Sequence, residues 1–166
     1  MADNYTDPIL AKIREHLNEN GPAELKNNYV LGPIFHKPPK GMLPLAAIYD
    51  PDTTLGSMGG GPYFDDKTIR IDLIVDWTDD IDNSWDEAQG YGKITEYFEG
   101  RDSDYKVGDN SIIGCLRGAR IDAAKNLFID VETENFKLQK KPMADPDMGI
   151  YVMMGWVMFH ISLVVT

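Results

Sequence analysis

At 166 residues the chain is long enough to bury one sizeable core, and its 43% hydrophobic and 26% charged residues are those of a globular protein and argue against a disordered chain. With 27 acidic against 16 basic residues the net charge is -11, a field that repels phosphate backbones and anionic membranes. Cys115 is the single cysteine, which excludes an intrachain disulfide and makes a reducing compartment the natural setting.

The first residues, Met-Ala-Asp-Asn-Tyr, lack the basic and apolar regions of a signal peptide, so a cytosol-made soluble protein is expected. Asp7-Pro8 is a helix start, since Asp accepts a free backbone N–H and Pro tolerates the first helical position. Ile9, Leu10, Ile13 and Leu17 follow at three- and four-residue spacing, and Gly21-Pro22 closes the pattern, which predicts an amphipathic helix over 8–20. From 22 to 42 the prolines and Gly32 predict irregular chain. Leu43 to Tyr49 reads as a short buried strand ended by Asp50-Pro51. Residues 50–66 then read as a long glycine-rich loop, of which 50–64 are expected to be mobile until a neighbour orders them.

Ile69, Ile71, Leu73, Val75 and Trp77 alternate with Thr68, Arg70, Asp72, Ile74 and Asp76, the period of a half-buried strand. One mostly polar face implies an antiparallel sheet with helices on a single side. Ser84 and Glu87 form a capping box for a second helix over about 85–99, ended by Gly100, with Trp85, Ala88, Tyr91, Ile94 and Phe98 on one face. Residues 111–117 and 127–133 read as strands, 134–148 as a polar excursion, and 151–165 as a long strand apolar on both faces. The fold class read from this order is α+β, an antiparallel β-sheet with two α-helices packed on one side, in a single domain over 1–166. The apolar run from Gly149 to Val165 holds Gly155, His160 and Ser162 and is too short for a confident membrane span, so no membrane partner is expected.

No motif carries chemistry. Gly59-Gly60-Gly61 precedes Pro62, Tyr63 and Phe64 rather than the Lys-Ser/Thr of a phosphate loop. Asp79, Asp80 and Asp82 suggest calcium, but a loop starting at Asp80 would need Gly and Glu where Trp85 and Tyr91 stand. A solvated helix N-terminus accounts for these carboxylates better. His16, His36 and His160 fall on different elements without ligand spacing, and no nucleophile–base order emerges. No catalytic residue, cofactor or metal is expected. The apolar surplus of the last strand, Met153, Met154, Trp156, Met158 and Val164 beside Val157, Phe159, Ile161 and Leu163, predicts cover on both faces, one of them from a neighbouring subunit or from the 22–42 segment.

The order of an N-terminal helix, the strand LPLAAIYDP, a long loop, the strand KTIRIDLIVDW, the helix WDEAQGYGKITEYF and a strand pair closing with GWVMFHISLVVT resembles the tail terminator proteins of long-tailed bacteriophages. These are also called tail-completion or tail-to-head joining proteins. The likeness covers most of the chain at the level of element pattern and includes no catalytic or ligand motif. It implies a virion protein made in the host cytoplasm, forming a ring of itself, usually six copies, that caps the tail tube. Its partners are then the tail tube protein on one face and the head–tail connector or neck protein on the other. DNA passes through the channel without specific binding.

On that reading the subunit interfaces draw on Met58, Tyr63, Phe64, Met153 and Trp156, and the channel wall on Asp72, Asp76, Asp79 and Asp80. The acidic balance suits a wall along which DNA must slide. The alternatives are another phage neck, head-completion or minor tail protein, or a small acidic adaptor that binds a protein through the 50–66 loop.

Overall fold

A computed structural model describes residues 6–34, 38, 40–51, 63–76, 89–129, 136–145 and 150–165. The chain is α+β, and the described residues form seven strands in one sheet and three α-helices.

Helix α1 (Pro8–Asn20) begins where the sequence predicts. The Asp7 carboxylate accepts from the Ile9 N–H at 2.8 Å and the Leu10 N–H at 3.4 Å, and also takes the Lys67 ammonium, which stands 3.3 Å from Asp50. Burial pushes the Asp7 carboxyl up, but Lys67 and the two N–H groups outweigh it and hold it below its ordinary 3.8. A carboxyl lowered on folding contributes stability above its unfolded value that is lost as pH falls through the folded one. Asp7→Ala is therefore expected to cost about 1 kcal/mol near neutral pH. Urea titrations should show that cost shrinking below about pH 4.

Strand β1 (Tyr29–Leu31) runs parallel to β2 (Leu45–Tyr49), and β2 is antiparallel to β3 (Tyr63–Asp76). Strand β3 pairs along its whole length with β7 (Ile150–Val165), from Tyr63↔Val165 to Asp76↔Val152. The other edge of β7 takes β5 (Leu127–Phe128) near its end and β6 (Gln139–Asp145) near its start, and β4 (Arg120–Asp122) pairs with β5.

Alternation along β3 places Ile69, Ile71, Leu73 and Val75 on the helix side, all buried. Met153, Val157, Phe159 and Ile161 continue that side across β7. Leu10, Ile13 and Leu17 of α1 pack on it, with Ile94 and Phe98 of α2 (Gln89–Phe98) and Ile112 and Leu116 of α3 (Ile112–Leu116). Where α2 crosses the sheet it meets Gly155, at which a Cβ would lie 2.3 Å from Ile94 Cγ2. Helix α1 touches β1, β2 and β4, elements at both ends of the strand order, and His16 Nε2 donates to the Cys115 carbonyl oxygen at 2.8 Å.

Several expectations need correction. The 22–42 segment carries a 3-10 turn (Ala23–Leu25) and strand β1, so the sheet is mixed rather than wholly antiparallel. A three-residue strand is too short to show a period. Residues 112–116 of the expected 111–117 strand are helical, because the Ser111 hydroxyl accepts from the Gly114 N–H at 3.0 Å and caps a turn. The expected 127–133 strand is only Leu127–Phe128 among the described residues.

The polar excursion contains β6, whose lysines and Pro142 suit an edge strand that needs no hydrogen bonds on its outer side. Strand β3 begins at Tyr63, which takes 63–66 out of the expected loop. The second helix is described from Gln89, and Gly100 at φ +47° follows it as expected. Residues 52–62 and 77–88, with Met58, Trp77, Asp79, Asp80, Ser84 and Trp85, lie outside the described residues.

Candidate functional site

Pairing of β2, β3 and β7 puts Leu45, Ala47 and Tyr49 beside Ile74, Asp72 and Arg70, and these beside Met154, Trp156 and Met158, all on the face away from the helices. The face is graded along the strands. Leu45, Ala47, Ile74 and Val152 at one end are buried, whereas Met158 is 42% exposed and His160 beyond it is exposed. Val30, next to Ala47 on β1, is 37% exposed.

A charged cluster sits at the turning point. Asp72 is 7% exposed, and its carboxylate accepts from Arg70 Nε at 2.6 Å and from the Tyr49 hydroxyl at 2.8 Å. The Arg70 guanidinium lies 5.0 Å from the centroid of the Trp156 ring and 5.9 Å from that of Tyr49. A cation between two aromatic faces, with its counter-ion beside it, fixes four side chains from three strands at once. Burial, then the hydrogen bond to Asp72, pushes the Tyr49 phenol up to about 12. The arrangement ties β2, β3 and β7 together through their side chains on this face. Both Asp72 carboxylate oxygens and the Tyr49 hydroxyl are engaged within it.

The candidate residues fall into distinct places. Trp156 is on the face away from α1, α2 and α3, half-buried over Arg70. Met153 is 3% exposed on the helix side, so it belongs to the core and not to an interface. Tyr63 and Phe64 open β3 opposite Val165 and Val164. Asp72 is buried and neutralised by Arg70, so it does not supply a free negative charge to a channel wall. Asp76 ends β3, half-buried, opposite Val152. Met58, Asp79 and Asp80 lie outside the described residues.

Arg70 and Tyr49 escaped the sequence reading. The signal was present in part, since Arg70 and Asp72 are two apart on one strand and so share a face. Placing Trp156 against them requires the β3–β7 register. Among the described residues, no group of three or more His, Cys, Asp and Glu side chains is gathered for a metal.

No protein-family model matches the chain, and a search of curated proteins returns no match.

Proposed function

We propose that this protein is a structural ring subunit that terminates the tail tube of a long-tailed bacteriophage and joins the tail to the head. The reading rests on the resemblance in element order. The observation that carries it furthest is the continuously paired β3–β7 ladder, whose face away from α1, α2 and α3 runs from buried aliphatic residues to the exposed Met158, with the Trp156 ring against Arg70 between. A surface held rigid by an aromatic–cation cluster suits repeated docking by shape, because little side-chain freedom remains to be lost on association. The wall facing DNA must draw on acidic residues other than Asp72.

A nonsense mutation in the phage gene tests the role. Tails are expected to overrun their normal length and to fail to join heads, and purified protein added to the lysate should restore joining. Tails that stop at normal length and join heads without the protein would overturn the reading.

A further inference from the structure

Between α2 and α3 the chain makes an exposed loop whose backbone is tied down throughout. The Asp102 N–H donates to the Lys106 carbonyl at 3.0 Å, and the Asp102 side chain accepts from the N–H groups of Asp104 at 2.9 Å and Lys106 at 3.0 Å. Arg101 donates to the Tyr105 carbonyl oxygen at 2.8 Å, and the Tyr105 N–H donates to the Asp102 carbonyl oxygen at 3.0 Å. At the tip, Tyr105 holds φ +64° with 82% of its surface exposed. A tyrosine in the left-handed region is strained, and here the strain secures no packing within the chain. The loop spends its hydrogen bonds on presenting a phenol to solvent.

The chain also carries a hole. Around β4 and β5 lies a cleft of about 380 Å³, with Leu127, Phe128 and Ile129 among its lining and Arg120, Ala123 and Asn126 exposed at its rim. Its size, at the small end of ligand pockets, and its apolar floor with a polar rim suit one aromatic side chain with a polar tip. Charge agrees. Residues 117–125 hold Arg117, Arg120 and Lys125 against Asp122, a basic patch in an acidic chain. Residues 99–109 hold Glu99, Asp102, Asp104 and Asp109 against Arg101 and Lys106.

We infer that the Tyr105 loop of one copy docks into the β4–β5 cleft of the next copy of this chain. Knob and hole are different surfaces, so the contact is heterologous, and such contacts repeat head to tail until a ring closes. The inference deepens the ring-subunit reading and rests on it for the expectation of closure. Oppositely charged flanks steer the encounter and set which copy faces which way.

Sedimentation velocity of the purified full chain tests the contact. Tyr105→Gly removes the knob and relieves the left-handed strain, so at a dilution where the parent is monomeric its melting temperature should equal or exceed that of the parent, while self-association weakens at least about thirtyfold. Ala123→Trp, at an exposed rim position, should block the hole with the same loss of association and an unchanged melting temperature. Mixed in equal amounts, the two variants retain one working knob and one working hole, and should form a one-to-one heterodimer that neither forms alone. The contact is overturned by a parent chain that stays monomeric up to millimolar concentration, by Tyr105→Gly associating like the parent, or by a mixture that shows no heterodimer. None of these outcomes depends on the tail phenotype. Normal tails in a phage lacking the protein would remove the terminator role and leave the contact standing.

Discussion

Arg70→Met is expected to destabilise the protein by about 3 kcal/mol, because it leaves the Asp72 carboxylate buried without its cation. Asp72 would keep only the Tyr49 hydroxyl as a described partner, and Trp156 would lose the guanidinium packed over its ring. The large term is the stranded charge rather than the lost ion pair. A second variant separates the two. Arg70→Met combined with Asp72→Leu and Tyr49→Phe removes both charges and the hydroxyl of the cluster, and should recover most of the loss. Urea unfolding measures both. If Arg70→Met alone falls within about 0.5 kcal/mol of the parent, the cluster is solvated in solution and the face is not rigid in the way described.

Leu73→Ala is the second large effect, expected at about 2–5 kcal/mol. Leu73 is fully buried, and its partners in register are Ala46 on β2 and Gly155 on β7. Both neighbours are too small to fill the space left behind, and Gly155 lies directly under Ile94 and Phe98 of α2. The site therefore collapses poorly, which places the expected cost in the upper half of that range. The midpoint in urea should fall with the slope unchanged, since the native surface stays much the same. A loss below about 1 kcal/mol would show that α2 settles into the cavity, and that its seat on the sheet is softer than the close approach at Gly155 implies.

How much of this was legible in the sequence follows from element length and from which face carries a pattern. Helix α1 repeats its apolar residues from Ile9 to Leu17, more than two turns, and β3 alternates over most of its length, so both announce themselves. Strands β1, β4 and β5 have two or three residues, less than one readable period. The run Ile112-Ile113-Gly114-Cys115-Leu116 is apolar throughout, and only the Ser111 cap decides for a helix. Strand β6 was hidden by its polarity, which its place at an edge explains. Strand β7 was found, but with apolar residues at both parities it does not say which face is which. Met153 was thus expected at an interface when the register places it in the core beside Trp156's opposite face. Asp72 was expected to face solvent because aspartate usually does, and only contact with Tyr49 and Arg70 shows otherwise.

The place of β7 has a consequence for the order in which the chain can be made and folded. It is the last strand in sequence, yet it lies between β3 on one side and β5 and β6 on the other. During synthesis β3 emerges more than seventy residues before the strand that covers its edge. Through that interval a long alternating strand stands open to wrong partners, including nascent copies of itself. The His16 contact with Cys115 is likewise closed across 99 residues, so the N-terminal helix also waits for distant chain. Completion of the sheet therefore waits for β7, and the exposed edge of β3 is where a holding chaperone would act. A chain stopped before Ile150 leaves β5 and β6 with no β7 to join, so only the β1–β2–β3 part of the sheet keeps its pairings.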